Sequence, residues 1–256
     1  MDLIKRIMAK KSKIEHFVTK RLGLAVNRYG MISSGDKVIV AVSGGKDSLA
    51  LLNLLEKRKR ALPIDYTVMA VHVATDYDSR PGFKKKELTK YFNSVGCEYV
   101  FKEIEIAKKN KQKKQDCFWC SWNRRKALFE TAEERGFSKI AFGHHKDDAV
   151  ETFLMNMFWK AELSGMNPVQ TLFGGKITII RPLILLEEKD INSYARLKEL
   201  PELKSNCPRN NDSKRAFIRD IIKQLTKVNP DIKNNICKAP YKIKSDYLTE
   251  IFDVRK

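Results

Sequence analysis

The sequence predicts an α/β fold, a parallel β-sheet with helices on both faces. Three observations support it. Short, β-branched apolar segments alternate with longer segments in which apolar residues recur at helical spacing. The first of these apolar segments runs directly into a Ser-Gly-Gly turn and a helical pattern, which is typical of a strand-to-helix connection. With 256 residues, the chain is long enough to bury a full core. Strands that alternate with helices pair in parallel, so the fold class is Rossmann-like.

The elements follow in order along the chain. Residues 3–28 carry apolar side chains at helical spacing among lysines and arginines, which predicts a basic amphipathic helix. Strands are predicted at 37–43, 66–73, 98–106, 139–142 and 177–181. Helices are predicted at 47–60, 84–94, 118–135, 147–159, 189–199 and 213–227. We therefore predict a basic helical segment at 1–30, the main α/β domain at 31–200 and a helical C-terminal region at 201–256.

The charge balance is strongly basic. Fifty Lys and Arg residues against 31 Asp and Glu give a formal net charge of +19. Such a charge repels itself in the folded state, and a polyanionic partner such as nucleic acid would relieve the repulsion. Lysine-rich, solvated surfaces are the alternative interpretation, and composition alone does not decide between them.

Neither a membrane span nor a secretory signal is predicted from the sequence. No apolar run approaches the length of a membrane helix, and the basic N-terminus lacks an apolar stretch with a cleavage site. We therefore expect a cytoplasmic protein. Five cysteines in so long a chain do not form a disulfide framework. In an intracellular protein, a Cys-x-x-Cys pair indicates metal or redox chemistry.

The first candidate site is the hexapeptide Ser43-Gly44-Gly45-Lys46-Asp47-Ser48, which follows the first strand. Two glycines let the backbone close on an anion, and the next helix presents N–H groups to phosphate. Ser43 and Ser48 add hydroxyl donors, Lys46 adds charge, and Asp47 can hold Mg²⁺. The spacing matches neither the Walker A loop nor Gly-x-Gly-x-x-Gly. A simple Gly-Gly turn is the alternative.

A second polar motif, Gly143-His144-His145-Lys146-Asp147-Asp148, follows the predicted strand at 139–142. Paired carboxylates at a helix start can cap the helix, bind Mg²⁺ or act as a base. The alternative is an Asp cap with the histidines in solvent. Because parallel strands end at one edge of the sheet, both motifs are expected at that edge.

Three cysteines form a candidate metal site: Cys117 and Cys120 at the start of a predicted helix, and Cys207 far downstream. Three thiolates can bind three irons of a [4Fe–4S] cluster and leave the fourth iron open. Zinc, a thioredoxin-like disulfide and ordinary buried cysteines remain alternatives on spacing alone. Cys97 and Cys237 are expected to be core or surface cysteines, and His72 is expected to be packed. The tryptophans 119, 122 and 159 could stack on a flipped base, but their helical spacing favours the core.

The motifs resemble those of a known family. Residues 43–48 match the SGGxDS signature of the PP-loop ATP pyrophosphatases, and residues 143–148 resemble the second signature of their tRNA-modifying branch. The similarity to the 2-thiocytidine tRNA synthetase group runs from about Asp36 to Leu225. Further matching segments are Arg80–Phe83, Cys117–Ser121 with Arg124-Arg125, Phe153–Phe158, Ile180–Leu183 and Glu188–Ile191.

This resemblance implies a set of roles. Residues 43–48, with Gly143 and His144, would bind ATP, and Asp47 would hold Mg²⁺. Asp147 or Asp148 would be catalytic, and Arg124 would be the basic residue that follows Cys-x-x-Cys. Cys117, Cys120 and Cys207 would hold a [4Fe–4S] cluster. One departure concerns Cys207, which stands in Ser-Asn-Cys-Pro instead of the family's frequent Pro-Cys-x-x-Cys-Gly.

The reaction implied is ATP-dependent thiolation of tRNA, in which C2–O of a pyrimidine, expected to be cytidine, is adenylated and replaced by C2–S. The partners implied are tRNA and a sulfur donor, which is free sulfide, a cysteine desulfurase or a sulfur carrier. The basic segment 108–114, residues 124–126 and the N-terminal helix are candidate contacts for tRNA phosphates. Lysidine synthesis, thiolation of uridine and RNA binding without catalysis remain alternatives. The sequence leaves the oligomeric state open, and a homodimer is one option.

Overall fold

Apolar, β-branched segments form the strands of a six-stranded sheet in the computed structural model, which describes residues 2–76, 81–106, 117–201, 203, 213–244 and 246. The strands are β1 (Lys37–Ala41), β2 (Thr67–Thr75), β3 (Glu98–Ile104), β4 (Lys139–Ala141), β5 (Val169–Leu172) and β6 (Ile177–Ile180). The helices are α1 (Asp2–Arg28), α2 (Lys46–Ala61), α3 (Pro81–Val95), α4 (Cys117–Arg135), α5 (Lys146–Lys160), α6 (Glu188–Leu197), α7 (Ser213–Val228) and α8 (Ile232–Lys238).

The sheet confirms the predicted fold class, with one additional strand. Its strand order is β3-β2-β1-β4-β6-β5, and neighbouring strands from β3 to β6 pair in parallel. The edge strand β5, which is not among the predicted strands, pairs antiparallel with β6. The sequence did not indicate β5, because its four residues are only half-buried or exposed and form no apolar run. An antiparallel edge strand on an otherwise parallel sheet is common.

Strand ends differ from the predicted bounds by up to two residues. In particular, β1 ends at Ala41 instead of Ser43, so Val42 and Ser43 lie in the connection to α2. Val40 of β1, Ala141 of β4 and Ile180 of β6 lie at one level of the sheet. The chain segments that leave these three strands therefore start side by side at the carboxyl edge.

The N-terminal helix α1 packs against the sheet domain from its middle onward. Val18, Leu22 and Val26 are buried on one side of α1, and α1 contacts α2 and α6. The Glu15 carboxylate pairs with Lys57 of α2 at 2.5 Å and with Lys198, just after α6, at 2.7 Å. The two ammonium groups lower the pKa of Glu15 against the opposing effect of its burial. This half of α1 is therefore part of the core.

Contacts divide the chain into two compact units, Met1–Lys146 with Asn167–Asp212, and Asp147–Met166 with Ser213–Lys256. This division differs from the predicted segments 1–30, 31–200 and 201–256. One apolar cluster of the first unit lies between the sheet and α4, where Ile39, Met69 and Ile140 pack with Leu128 and Ala132.

The second unit has its own apolar cluster, formed by α5 and α7. Val150, Phe153 and Leu154 of α5 pack against Ile218 and Ile222 of α7. Glu151 of α5, 4% exposed, accepts a hydrogen bond from Arg219 of α7 at 2.8 Å. The ion pair with Arg219 offsets part of the cost of burying the Glu151 carboxylate, so we assign Glu151 a structural role. Among the described residues, no helix is long and apolar enough to cross a membrane.

Candidate functional site

The predicted phosphate loop connects β1 to α2 at the carboxyl edge of the sheet. Gly44 has φ +90°, a left-handed conformation that favours glycine, and Gly45 is the N-cap of α2 in an extended conformation. Because Gly45 has no side chain, it makes no side-chain hydrogen bond to the N–H groups in the first turn of α2. A helix N-terminus of this kind provides N–H donors and a positive dipole end for an anion.

The two serines of the loop hold its shape. Ser48 Oγ donates to the carbonyl oxygen of Gly45 at 2.8 Å and accepts from the N–H of Ser43 at 3.2 Å. Ser43 Oγ lies 3.3 Å from Ser48 Oγ and accepts from the N–H of Gly45 at 3.2 Å. The hydroxyls therefore bind the loop to itself and preorganise its backbone before any ligand arrives.

Lysine side chains line the loop on two sides. Lys46 Nζ lies 2.9 Å from Glu188 of α6 and 3.8 Å from Asp47, so one ammonium group lies between two carboxylates. On the other side, Lys84 of α3 reaches Gly44. A Cβ added at Gly44 would lie 2.7 Å from Lys84 Cε and 3.6 Å from its Nζ. Lys84 and Glu188 were not among the predicted site residues, since only the fold brings α3 and α6 to the loop.

The second motif contacts the first through Gly143. A Cβ at Gly143 would lie 3.0 Å from the carbonyl carbon of Asp47 and 3.0 Å from the backbone nitrogen of Ser48. Only glycine allows the backbone after β4 to approach the first turn of α2 so closely. The two motifs expected at the same edge are therefore in direct contact.

The histidines at this edge are packed. His145 is 6% exposed, and His144 stacks on Phe142 with ring centroids 5.5 Å apart. His72 of β2, 3% exposed, donates from Nδ1 to the carbonyl oxygen of Val42 at 2.7 Å, so it supports the segment that leads into the loop. This confirms the packing role expected for His72 and shows that the histidines of the second motif are not in open solvent.

The paired aspartates belong to the second unit and differ in their contacts. Asp147 Oδ1 accepts a hydrogen bond from Lys233 of α8 at 2.6 Å, and both side chains are largely buried. Asp148, the next residue in the first turn of α5, is half-buried. The Asp147–Lys233 pair ties α5 to α8.

The first two turns of α4 carry the Cys-x-x-Cys pair and Arg124. Helix α4 begins at Cys117, so Cys117, Cys120 and Arg124 follow each other at spacings of three and four, on one side of the helix. Arg124 donates from Nη2 to Thr75 Oγ1 at the end of β2, at 3.3 Å. The start of α4 is thereby fixed at the same edge of the sheet as the phosphate loop.

Several predicted contacts lie outside the described residues: Cys207, the basic segment 108–114 and Arg80. Among described side chains, no group of three or more His, Cys, Asp or Glu is arranged to hold a metal. The ligand set of three cysteines therefore stays a prediction. Cys97 is buried, and burial raises the pKa of its thiol to about 12, so it remains protonated at neutral pH. Cys237 contacts the apolar cluster of the second unit.

The tryptophans correct one expectation. Trp122 is 46% exposed and Trp159 is 40% exposed, so the prediction that both lie in the core was wrong. Trp122 stacks on Trp119 with ring centroids 5.4 Å apart and an angle of 8° between the planes. Their spacing fitted a helical apolar stripe, but in the described part of α4 the stripe toward the sheet is formed by Ala127, Leu128 and Ala132.

Comparisons with known proteins agree with the motifs. A family of proteins described as PP-loop domain matches residues 9–225. A tRNA-cytidine(32) 2-sulfurtransferase from Francisella tularensis is 35% identical over 249 residues, which cover 94% of this chain and 92% of that protein. A tRNA-cytidine(32) 2-sulfurtransferase from Marinobacter nauticus is 34% identical, with 100% of this chain and 86% of that protein covered.

The fold is similar to that of a solved thiolase. The U34-tRNA thiolase NcsA from Methanococcus maripaludis, determined with its [4Fe-4S] cluster, superposes with a TM-score of 0.73. The match covers 90% of this chain and 78% of that one at 23% sequence identity. This likeness supports the fold assignment.

The contact at Gly143 predicts the effect of adding one methyl group. Gly143→Ala should displace the start of α2, with a loss of about 1–3 kcal/mol in stability and about 10-fold weaker binding of MgATP. Isothermal calorimetry and thermal unfolding measure both. Gly82→Ala is the control, because a Cβ at Gly82 meets open space. Unchanged ATP affinity in Gly143→Ala would contradict the close contact of the two motifs.

Lys84 provides a second prediction. If its ammonium contacts a bound phosphate, Lys84→Met should weaken MgATP binding about 10-fold or more, as expected for a charged hydrogen bond. The matched control is Lys85→Met, since Lys85 pairs with Glu103 at 3.6 Å and lies over the ring of Phe101. Equal ATP affinities for the two variants would exclude a phosphate contact by Lys84.

Proposed function

The chain belongs to the PP-loop family and, within it, to the tRNA sulfurtransferases, and from this membership we propose that it thiolates C2 of a cytidine in tRNA. Its 35% identity to a tRNA-cytidine(32) 2-sulfurtransferase extends over nearly the whole of both chains. We propose position 32 as the target by analogy with that relative. The contact of Gly143 with the start of α2 carries the structural side of the proposal, since it joins the two signature motifs in one site.

ATP is the substrate for which the first site is suited. The left-handed Gly44, the serine hydroxyls and the N-terminus of α2 form a cradle that a side chain at Gly44 or Gly143 would fill. We propose that the loop holds the phosphates of ATP, with Lys46 and Lys84 beside them and Asp47 as a ligand for Mg²⁺.

The proposed reaction has two steps. The C2 oxygen of the cytosine attacks the α-phosphorus of ATP, the bond to the β-phosphate oxygen breaks, and pyrophosphate leaves. Hydrosulfide then adds at C2, and the C2–O bond breaks as AMP leaves with the oxygen. Adenylation is needed because the base oxygen alone is a poor leaving group. With sulfide as the donor, no oxidant or reductant is consumed.

The residues near this edge suit these steps in different ways. Arg124, held by Thr75, is a cation available to the charge that develops as AMP leaves. Asp147 and Asp148 remain candidates for the proton acceptor or a further Mg²⁺ ligand. Within the second unit, Lys233 pairs with Asp147 and would orient this carboxylate.

The donor set at the start of α4 fits a soft metal centre, because two cysteines stand one helical turn apart. Cys117, Cys120 and Cys207 would hold a [4Fe–4S] cluster. When bound, such a cluster offers one iron without a protein ligand, where sulfide stays deprotonated at neutral pH. We also propose that the sulfur comes from free sulfide, a cysteine desulfurase or a sulfur carrier. The protein would act in the cytoplasm, as a monomer or a homodimer.

The direct test is a reaction of the anaerobically purified protein with unmodified tRNA, MgATP and sulfide. We expect 2-thiocytidine by nucleoside mass spectrometry and one pyrophosphate released for each nucleotide modified. Asp47→Asn should abolish both. Incorporation of lysine into cytidine would instead establish a lysidine synthetase, 2-thiouridine would establish the uridine branch, and absence of pyrophosphate release with every tRNA would favour an RNA-binding protein.

Removal of one thiolate tests the cluster. Cys120→Ala should lose the broad absorbance near 400 nm that a [4Fe–4S] cluster gives and all thiolation, while the dissociation constant for MgATP changes less than about twofold. The control is Cys237→Ala, which contacts the apolar cluster of the second unit and should keep colour and activity. A colourless wild-type protein with bound zinc would contradict the cluster.

A further inference from the structure

A second cavity, of about 790 Å³, lies between α4 and the β5–β6 hairpin, entirely within the first unit. On β6, Ile177, Ile179 and Arg181 line it, which is the alternation expected of one face of a strand. On α4, Trp122, Arg125 and Phe129 line it at helical spacing. The cavity is therefore a groove between one helix and the edge of the sheet, apolar along most of its length.

Arg181 is a buried cation in this groove. It is 8% exposed and donates from Nη1 to the carbonyl oxygen of Asn167 at 2.5 Å and from Nη2 to Gln170 Oε1 at 3.4 Å. Both acceptors are neutral, and within the described part of the chain its buried Nε has no hydrogen-bond partner. Burial and the charge of nearby Arg125 lower the pKa of Arg181 to about 10.

A cation in this position is costly to remove from water. Arg181 remains charged at neutral pH, yet its charged form is less favourable in the fold than in the unfolded chain, as the lowered pKa shows. Buried charges normally have a charged partner. Because Arg125, also cationic, lies nearby, the arrangement suits an anion that arrives from outside the chain.

The walls of the groove carry exposed aromatic rings. Phe173, in the turn between β5 and β6, is 61% exposed and packs edge-on against Phe129 with ring centroids 5.4 Å apart. Its φ of +53° is left-handed, a conformation that is unfavourable for a phenylalanine. Because β6 runs from Ile177 toward the carboxyl edge at Ile180, Phe173 lies at the opposite edge of the sheet from the phosphate loop. Trp122, stacked on Trp119, adds a flat exposed surface near Arg125.

The position of Arg181 relates the groove to the phosphate loop. Arg181 follows Ile180, which lies level with Val40 of β1, and β6 is two strands away from β1. At the usual strand spacing, the two strands are about 10 Å apart. An anion at Arg181 would therefore lie at the same edge as the phosphate loop but on a separate strand.

We propose that this groove binds the target nucleotide of the RNA, with a backbone phosphate at Arg181 and Arg125 and the base against Trp122, at the end of the groove where α4 begins beside the carboxyl edge of the sheet. Bases that leave an RNA stack are commonly held on aromatic side chains. This inference rests on the proposed function, whose substrate site it specifies. The acidic residues of the groove, Glu130 and Glu133, lie one or two turns further along α4 than Arg125, which favours the arginine end for the phosphate.

An RNA nucleotide suits the groove better than a free one. ATP already has a preorganised phosphate cradle in the loop after β1. The groove opens to solvent beside exposed residues of α4 and of the β5–β6 turn. A nucleotide in the groove can therefore remain part of a continuous RNA strand that runs outside it. Lys126, which lies over the ring of Trp122 at 5.9 Å and pairs with Glu130 at 3.6 Å, is a further cation near this opening.

The main test replaces the buried cation. Arg181→Met should weaken binding of an unmodified tRNA transcript about 10-fold or more, while the dissociation constant for MgATP changes less than about twofold. Because an unpaired buried charge is removed, the melting temperature should equal or exceed that of the wild type. Arg135→Met, at an exposed position of α4 outside the groove, is the control and should change tRNA binding little.

The possible outcomes separate the groove from the reaction. A lower melting temperature in Arg181→Met with unchanged tRNA affinity would assign Arg181 to structure and overturn the proposal. Arg125→Met, at an exposed site, repeats the binding test without altering the core. The thiolation rate is then measured against tRNA concentration for the wild type and both variants. If the wild type is active and all three proteins show the same dependence, the groove proposal fails while the proposed function stands.

Crosslinking identifies the occupant directly. A tRNA transcript with 5-iodocytidine at position 32 should crosslink on irradiation to Trp122, and excess ATP should not prevent it. Competition by ATP or AMP would show that a free nucleotide occupies the groove. A change of oligomeric state in Arg181→Met, measured by sedimentation, would show that a second copy of the chain covers it. Either result would overturn the proposal.

Discussion

The close approach of Gly143 to the first turn of α2 is the constraint on which the rest of the site depends. The chain after β4 lies within van der Waals distance of the backbone of Asp47 and Ser48, with no side chain between them. The phosphate loop is internally fixed by Ser43 and Ser48, and this contact connects it with the second motif. Since β1 and β4 are neighbours in the sheet, the parallel topology itself brings the two segments together.

The parts that the sequence predicted are those that local patterns determine. Apolar strand segments and amphipathic helices located the described elements within a few residues, and the Gly-Gly turn located the loop. The edge strand β5 was missed because a four-residue strand with little burial has no local signature. The tryptophans of α4 were misassigned because helical spacing shows that residues share a side of a helix, but not which side faces the sheet.

Site residues that lie on elements far from the phosphate loop in the sequence could not be predicted, for a different reason. Lys84 and Glu188 are separated from the phosphate loop by about 40 and 140 positions in the numbering, and each is one of many charged residues in this chain. Their proximity to the loop follows from how α3 and α6 pack beside α2. Similarly, Arg181 was noticed only within the matching segment Ile180–Leu183. Its burial beside Arg125 becomes apparent only when β6 is paired with β5.

The net charge of +19 takes on a more specific meaning in the structure. Among the described residues, most Lys and Arg side chains are at least partly exposed. Water and salt screen such charges, and they can attract any polyanion without selecting a nucleotide. Arg181 is different, because the fold removes it from water and gives it two neutral acceptors. A guanidinium group so placed gains most from an anion that enters the groove and little from one that stays on the surface. Attraction and selection are thus assigned to different parts of the same basic chain, the first to its surface lysines and the second to a single buried arginine.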